Sequence, residues 1–495
     1  MKTLSTQEIR QLDRLAIKSG IASFELMQAA GEGVATAIRQ LANNHQLVDV
    51  PLLFVAGHGN NAGDAFVAAK VLHEEDWMVE CWIAAAEEKL KGDALTAFKK
   101  MKKAGVPFQF IPQAEEWNYA TQCGTDAEII VDGLLGTGFS DEPRSPISEA
   151  IHFINHAANR ALIVAIDIPS AWRVTADLTV SMAFPKTDLL LSEHIKVVGN
   201  LEIIDIGIPP ELSDQIQNNE ELEFIHPTDL TPLFPRRERD AHKGTFGHLL
   251  CVGGSTGFSG AITLATHAAL RSGAGLVSAW VPSSIHAIVA TALPEAMVHD
   301  QLPKTKFSTT LLGPGMGSNR STQEIVLHQL TLSDTPLVLD ADAITVLANQ
   351  TDKIANATRP IILTPHPGEF ATLFGLNVSD VQEDRVGLVK MAAKRLGATI
   401  ILKGAGTLVA SPDHPIAVNL TGNPGMATGG SGDLLAGLLA GLLTQGISPY
   451  PAACAAVWLH GRAGDLAAAE KSQYTLLPTD LIEKLPEAFR ELSCR

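Results

Sequence analysis

The sequence has few cysteines, and they are scattered. Its 495 residues include five, an odd number, and no two of them form a C-x-x-C pair. This pattern argues against a disulfide framework and against a zinc ribbon, and it fits a reducing cytosol. The cysteines are Cys81, Cys123, Cys251, Cys454 and Cys494.

The chain also lacks a basic excess and a long apolar run. With 37 Lys and Arg against 54 Asp and Glu, its net charge is −17, which disfavours nucleic acid or an anionic membrane as a partner. The N-terminus has no apolar core of a signal peptide, and the longest apolar run, 434–443, is too short to span a bilayer. We therefore expect a soluble, cytoplasmic protein with no membrane or nucleic-acid partner.

What the chain does contain is an alternation of short apolar runs and helical stretches. Runs that end in glycine or a polar turn, such as 51–56 and 248–252, alternate with segments of helical period. This alternation is typical of a parallel α/β sheet. The polar segment 209–243 interrupts the pattern and is typical of a linker. We predict two α/β domains, residues 1–225 and 226–495.

Three strand ends in the first half carry polar residues at glycine-rich turns, within GHGNNAGD, DGLLGTG and DIPS. The carboxyl ends of parallel strands meet at one rim of a sheet, where ligands of open α/β folds bind. A single aspartate there is more often a helix cap or a turn former, but three such strand ends together favour a site. The candidate residues are Asn60, Asn61, Asp132, Asp167 and Ser170.

The strongest motif of the chain is NPGMATGGSGDLLAG, at residues 423–437. Its glycines end at a helix start, where backbone N–H groups suit a transferring phosphoryl group. Asp433 lies in the first turn, placed to take a proton from a substrate hydroxyl. Taken alone, Gly-Ser-Gly-Asp is typical of a capped helix start. The chain has no G-x-x-x-x-G-K-[ST] motif, which excludes a P-loop enzyme.

Other strand ends of the second half support this motif. KGAGT, residues 403–407, predicts a tight turn that suits nucleotide phosphates or ribose. PHPGE places His366 and Glu369 at another strand end, which is too little for a metal site. LDADAI places Asp340 and Asp342 within reach of a magnesium–phosphate unit, although such aspartates more often have a structural role.

Residues 1–210 resemble the NAD(P)H-hydrate epimerase domain on the motifs AGHGNNAGD, VDGLLGTG and IDIPS. The resemblance implies a Rossmann-like three-layer α/β domain with Asp132 as a catalytic residue. It implies a potassium ion held by Asn61, Asp132 and Ser170. It also implies a binding site for the hydrated dinucleotide made of Asn60, Asn61, Ala62, Gly63, Asp64, Gly136, Thr137, Gly138, Phe139, Ser140, Asp141, Glu142 and Asp167.

The first half departs from that family pattern in three respects. Ala62 and Ala65 stand where the family has glycines, and Ala171 follows Ser170 where glycine is usual. A short segment is also missing after Trp172. Because a Cβ obstructs close backbone approach and disfavours positive φ, we predict a first domain that binds a dinucleotide or potassium but epimerises slowly.

Residues 243–465, including WLHGRAGD, resemble the ADP- or ATP-dependent NAD(P)H-hydrate dehydratases, relatives of the ribokinase-like kinases. The resemblance implies a ribokinase-like α/β domain, ADP as co-substrate, Mg²⁺, and Asp433 as the catalytic base. The residues it implies around the hydrated dinucleotide are Ala261, Gly315, His366 and Asp433, and those around the adenine nucleotide are Lys403, Gly404, Ala405, Gly406, Thr407 and Gly432.

Together the two resemblances imply a fused repair enzyme. Its second domain restores NADH or NADPH from the S epimer of the hydrate with release of AMP and phosphate, and its first domain interconverts the R and S epimers. We expect NADH-hydrate, NADPH-hydrate and ADP as small-molecule partners, and a homo-oligomer. One alternative is a ribokinase-like small-molecule kinase, such as a hydroxymethylpyrimidine kinase. Another makes the first domain a non-catalytic ligand-binding or assembly module.

Overall fold

The computed structural model describes residues 1–138, 142–190, 193–216, 222–332 and 334–493. The chain divides into two compact units, Met1–Glu220 and Glu221–Arg495. Both are α/β units, which confirms the predicted fold class. Within the described ranges, no helix has the length and apolar character needed to cross a membrane.

The first unit is built on one parallel sheet. Its strands are β1 (Leu52–Ala56), β2 (Val79–Ile83), β3 (Phe108–Phe110), β4 (Ile129–Gly133), β5 (Leu162–Ile166), β6 (Leu178–Met182) and β7 (Asn200–Ile204). Its helices are α1 (Thr6–Lys18), α2 (Ser23–Asn44), α3 (Asn60–Glu74), α4 (Gly92–Lys103), α5 (Ala114–Cys123), α6 (Ile147–Ala157), α7 (Thr187–Leu190), α8 (Ile195–Val198) and α9 (Pro210–Ser213). The strand order is β3-β2-β1-β4-β5-β6-β7, with every pair parallel.

Helices cover both faces of this sheet, because successive residues of a strand point to opposite sides. In β1, Phe54 packs into a core shared with α1 to α4, whereas Leu53 and Val55 pack into a second core with α5 and α6. This is the predicted three-layer, Rossmann-like arrangement. The strand order reverses between β1 and β4, and such a reversal opens a ligand crevice at the carboxyl ends of the strands.

The second unit has a larger sheet. Its strands are β8 (Leu222–Phe224), β9 (His248–Val252), β10 (Leu276–Trp280), β11 (Met297–His299), β12 (Thr309–Leu312), β13 (Leu337–Leu339), β14 (Ile361–Leu363), β15 (Thr399–Leu402), β16 (Thr407–Ala410) and β17 (Ile416–Asn419). Its helices are α10 (Pro227–Leu230), α11 (Ser259–Arg271), α12 (Ser283–Ala292), α13 (Arg320–Gln329), α14 (Asp342–Thr345), α15 (Thr351–Ala355), α16 (Pro367–Phe374), α17 (Val378–Glu383), α18 (Arg385–Leu396), α19 (Ser431–Thr444), α20 (Pro449–Lys471) and α21 (Pro478–Leu492). The strand order is β11-β10-β9-β12-β13-β14-β15-β16-β17-β8, and only β16 runs against its neighbours.

The apolar helix α19 lies in the core of this unit together with α11, α20 and α21. Gly437 lets α11 come close, because a Cβ built on it would lie 1.9 Å from the carbonyl oxygen of Ala265. Gly437 and Gly441, which interrupt the apolar run 434–443, therefore serve helix packing. The glycine motif ends in this packed helix.

The segment 209–243, predicted as a linker, contains the edge strand β8. Leu222 and Phe224 are buried, and β8 pairs parallel to β17. The predicted boundary after residue 225 therefore falls beyond a strand of the second sheet, whereas the two units divide after Glu220. A three-residue strand among Pro, Asn and Glu has too short an apolar pattern to be visible in the sequence.

Candidate active sites

The first site lies at the carboxyl ends of β1, β4 and β5. Residues 60–64 form the first turn of α3 directly after β1, Asp132 lies in β4, and Asp167 follows β5. The turn after β4 brings them together, because a Cβ built on Gly136 would lie 3.4 Å from Asn61 Oδ1 and 3.1 Å from Asp167 Oδ2. The polar residues predicted at three strand ends therefore form one cluster.

Asp132 is fully buried and is held by Ser170. The Ser170 hydroxyl donates to Asp132 Oδ1 over 2.6 Å, and the Ser170 N–H donates to Oδ2 over 2.8 Å. The N–H of Leu134 donates to Oδ1 over 3.2 Å. Burial raises the pKa of Asp132 to about 6, and these hydrogen bonds offset only part of that effect. Asp132 therefore takes up a proton just below neutral pH.

Asn61 contributes a buried amide to the same cluster. Among the described residues, neither the oxygen nor the nitrogen of its side chain has a hydrogen-bond partner. Leaving such a group unpaired costs about 1–3 kcal/mol, so an orphaned buried amide is typical of a site that receives a polar ligand or an ion.

A buried lysine neutralises Asp167. Lys186 Nζ lies 2.6 Å from Asp167 Oδ1, and the lysine side chain is 1% exposed. The N–H of Thr137 donates to Asp167 Oδ2 over 3.2 Å. Burial, and then the charge of Asp167, raises the pKa of Asp64 well above its usual range and also raises that of Asp13. Sequence reasoning missed Lys186 and Asp13, because neither lies in a glycine motif and only the fold brings them to this rim.

The loop at residues 136–142, predicted to bind the hydrated dinucleotide, is described in part. The position of a Cβ on Gly138 is open space, and Glu142 forms an exposed ion pair with Arg173. The three remaining predicted residues, Phe139, Ser140 and Asp141, lie outside the described residues.

The second site lies at the carboxyl ends of β13, β14 and β15, beside the start of α19. Lys403 Nζ lies 3.1 Å from Asp340 Oδ1 and 3.7 Å from Glu369 Oε2. A Cβ built on Gly432 would lie 3.2 Å from the same Nζ, so the glycine motif adjoins this ammonium. Burial alone would lower the pKa of Lys403, but the two carboxylates outweigh it and raise the pKa.

Asp433 lies in the first turn of α19, next to these charges. Burial, and then the negative charge of Asp340, raises the pKa of Asp433 to about 7, while Lys403 acts in the opposite direction. A carboxyl group that titrates near the working pH is well suited to take a proton from a substrate. Gly430 caps the helix at φ 99°, a conformation that glycine adopts without strain.

His366 caps α16 and remains accessible. Its Nδ1 accepts hydrogen bonds from the N–H groups of Gly368, over 3.0 Å, and Glu369, over 3.2 Å. Glu369 Oε2 in turn accepts from the His366 N–H over 2.8 Å. The histidine side chain is 57% exposed, and its Nε2 lies 3.5 Å from Glu369 Oε1.

The other predicted residues divide into two groups along this rim. Ala261 and Gly315 adjoin each other, since a Cβ built on Gly315 would lie 3.1 Å from the Ala261 Cβ. Asp342 accepts from the N–H of Gly317 over 2.8 Å, and Asp340 accepts from the Thr364 hydroxyl over 2.6 Å. Both aspartates thus accept hydrogen bonds from the protein itself, as expected for the structural role that such aspartates more often have.

The turn at residues 403–407 joins the antiparallel strands β15 and β16. Gly404 and Gly406 have φ of 142° and 61°. Arg385, buried at the start of α18, donates to the carbonyl of Ala405 over 2.6 Å and to that of Leu402 over 3.2 Å. Sequence reasoning missed Arg385, because nothing in the sequence near it signals contact with this turn.

The two halves of the chain match two family profiles. Residues 249–487 match NAD(P)H-hydrate dehydratase, and residues 23–188 match the YjeF-related protein N-terminus. The bifunctional NAD(P)H-hydrate repair enzyme Nnr of Moorella thermoacetica is 36% identical over 99% of this chain and 97% of its own length. The chain belongs to the bifunctional NAD(P)H-hydrate repair enzymes. The family member of Escherichia coli is 35% identical over 94% of this chain and 89% of its own length.

Solved structures match the second domain of the chain described here. An ADP/ATP-dependent NAD(P)H-hydrate dehydratase from Bacillus subtilis, co-crystallised with ATP and Mg²⁺, has a TM-score of 0.51 and 35% identity, over 54% of this chain and 98% of that one. A ribokinase-like superfamily protein from Enterococcus faecalis has a TM-score of 0.50 and 29% identity, over 56% and 99%. The predicted ribokinase-like fold of the second domain is confirmed.

The three alanines that depart from the family pattern differ in their backbone. Ala62 and Ala65 lie within α3, where alanine is favoured over glycine by about 1 kcal/mol. Ala171 has φ 54° and ψ 20°, a left-handed conformation that costs an L-residue about 1–2 kcal/mol. The positive-φ strain predicted for an alanine in place of glycine therefore occurs at Ala171 and not at Ala62 or Ala65.

Restoring the family glycines should change stability in opposite directions. Ala171→Gly should raise the free energy of unfolding of the first domain by up to about 1 kcal/mol, because relief of the left-handed strain exceeds the added chain entropy. Ala62→Gly, the matched control in α3, should lower it by about 1 kcal/mol or more. Denaturant unfolding of the full-length chain measures both. A destabilised Ala171→Gly would contradict the strain at this position.

Proposed function

We propose that this protein repairs hydrated NADH and NADPH, with an ADP-dependent dehydratase in the second domain and an epimerase in the first. The observation that carries the proposal is Asp433, which has a pKa of about 7 at the end of the glycine motif and beside the buried Lys403. Membership of the repair-enzyme family supports it at both ends of the chain.

The dehydratase reaction must replace a poor leaving group. The hydrate carries a hydroxyl at C6 of its reduced ring, and hydroxide leaves slowly, whereas phosphate leaves readily. In our proposal Asp433 takes the proton of this hydroxyl. The hydroxyl oxygen attacks the terminal phosphoryl group of ADP, and AMP is released. The C6–O bond then breaks, phosphate departs with the bonding pair, and the neighbouring ring carbon loses a proton. Backbone N–H groups of the glycine motif stabilise the charge of the transferred group.

We assign the adenine nucleotide to the turn at residues 403–407 and Gly432, and the hydrate to Ala261, Gly315, His366 and Asp433. The negative charges of Asp340, Glu369 and Asp342 all raise the pKa of Asp433, whereas the ammonium of Lys403 lowers it. This surplus of negative charge fits a divalent cation that enters with the nucleotide phosphates, because Mg²⁺ is usually held by one or two carboxylates and the phosphates themselves. Bound there, Mg²⁺ would neutralise charge on the transferring group.

The decisive assay supplies the S epimer of NADH-hydrate to the full-length protein with ADP, with ATP, or without nucleotide. We expect NADH to appear only when a nucleotide is present, with AMP and phosphate formed from ADP in equal amounts to NADH. Phosphorylation of hydroxymethylpyrimidine, with the hydrate untouched, would establish the kinase alternative in its place.

Asp433→Asn should lower kcat for dehydration by about 10²–10⁴-fold, because asparagine retains the shape of the side chain but takes no proton. In the unmutated protein, kcat/KM should rise with pH up to about 7 and level off above it, since only the ionised Asp433 accepts the proton. Steady-state rates across a pH series measure both effects. If the variant keeps more than about a tenth of the kcat, Asp433 is not the catalytic base.

For the first domain we propose a hydrate site at residues 60–64 and the loop after β4, with potassium held by Asn61, Asp132 and Ser170. The orphaned amide of Asn61, the buried carboxyl group of Asp132 and the Ser170 hydroxyl supply the oxygen ligands that a hard cation requires. Bound there, potassium would keep Asp132 ionised despite its burial. Lys186 Nζ lies 2.6 Å from Asp167 Oδ1, and in our proposal the Asp167 carboxylate accepts hydrogen bonds from the substrate.

The R epimer tests the first domain in the full-length protein with ADP. We expect potassium to stimulate NADH formation above spontaneous epimerisation, at a rate below that for the S epimer because the chain lacks a short family segment after Trp172. Asp132→Ala should abolish the stimulation, and the exposed Asp126→Ala should not. Potassium should bind more weakly as pH falls through about 6, because protonated Asp132 is a poor ligand. Turnover no faster than the spontaneous rate would establish a non-catalytic first domain.

A further inference from the structure

The motif WLHGRAGD forms one part of the long helix α20, and the proposed chemistry gives it no role. One of its residues, Asp465, is buried against the start of the glycine motif. Asp465 Oδ2 accepts from the N–H of Gly422 over 2.9 Å, and Oδ1 accepts from the Asn423 side chain over 3.0 Å. The Thr421 hydroxyl donates to the carbonyl of Trp458 over 3.1 Å. The helix α20 is therefore hydrogen-bonded to residues 421–423, just before the glycines of the motif.

The same helix also reaches the far end of the glycine motif. His460 Nε2 and Ser431 Oγ share a hydrogen bond of 3.1 Å, and Ser431 is the first residue of α19, two positions before Asp433. The imidazole is buried, which lowers the pKa of His460 to about 4 and keeps the ring neutral at neutral pH. It acts here through its hydrogen bond and not through a charge.

Two glycines of the helix allow this close approach. A Cβ on Gly461 would lie 2.3 Å from the Thr421 hydroxyl oxygen, and one on Gly464 would lie 2.3 Å from the sulfur of Met426. Neither position has room for a side chain. The helix and the residues 421–431 are therefore fitted to each other along their length, and the polar contacts lie at the two ends.

We infer that His460 and Asp465 are positioning residues for phosphoryl transfer, which clamp residues 421–431 at both ends and so fix the backbone N–H groups of the glycine motif. The inference rests on the proposed dehydratase function. Misplacing one such donor costs about 10²–10³-fold in rate, because preorganised donors act only when aimed at the developing charge. Arg462, on the same helix, pairs with Glu491 on α21 at 2.7 Å, and its charge also acts on Asp465.

The test compares four variants of the full-length protein with the S epimer and ADP. Asp465→Asn and His460→Leu should each lower kcat at least about tenfold with KM for the hydrate unchanged, because the loop acts on the transferred group. His460→Gln, which can still hydrogen-bond to Ser431, should recover most of the kcat. Glu470→Gln, on the same helix but paired with Lys484 of α21, is the matched control and should keep the kcat.

Hydrogen exchange gives a readout that does not depend on activity. In Asp465→Asn the amides of residues 421–431 should exchange faster than in the unmutated protein, and in Glu470→Gln they should not. Unchanged kcat and unchanged exchange in Asp465→Asn would overturn the clamp, as would a His460→Gln variant as impaired as His460→Leu. An unmutated protein that leaves the S epimer untouched would instead overturn the proposed function, and with it the catalytic role of the clamp.

Discussion

Each domain depends on one buried lysine paired with carboxylates at the carboxyl ends of its parallel strands. In the first domain Lys186 pairs with Asp167, and in the second Lys403 pairs with Asp340. Removing one partner of a buried ion pair typically costs 3–5 kcal/mol, because the other charge is left uncompensated. The two pairs therefore connect strand ends, those of β5 and β6 in the first domain and those of β13 and β15 in the second. The other polar groups of each site lie near its ion pair.

The ion pairs also set the protonation of their neighbours. Lys403 is shared between Asp340 and Glu369, so it compensates only part of the negative charge that Asp433 experiences. Asp433 therefore titrates near neutral pH, where a base is most effective. In the first domain the ammonium of Lys186 is occupied by Asp167, and burial leaves Asp132 with a pKa of about 6. In our proposal the first of these carboxyl groups, Asp433, is a proton acceptor, and the second, Asp132, is a cation ligand.

Sequence patterns predicted the architecture and the motifs, because parallel strands and glycine turns carry local signals. Asp132 in a strand, Asp433 in the first turn of a helix and the turn at 403–407 all lie in the elements that the sequence predicted for them. The partners that orient these groups were not predictable. Lys186, Arg385 and the strand β8 lie in segments without a motif, and long-range packing alone brings them into contact. A buried lysine and an exposed one look the same in a sequence.

The strain at Ala171 is linked to the same ion pair. Asp167 itself has φ 71°, and Ala171 and Trp172 have φ of 54° and 56°, so the chain turns through left-handed conformations three times within six residues. Such conformations persist only where surrounding contacts impose them. Here Asp167 is anchored by Lys186, Ser170 by Asp132, and the Trp172 ring stacks on His194 at 3.8 Å. The contacts of Asp132 with Ser170 and of Asp167 with Lys186 are therefore retained despite alanine at a position that favours glycine, and the cost falls on stability.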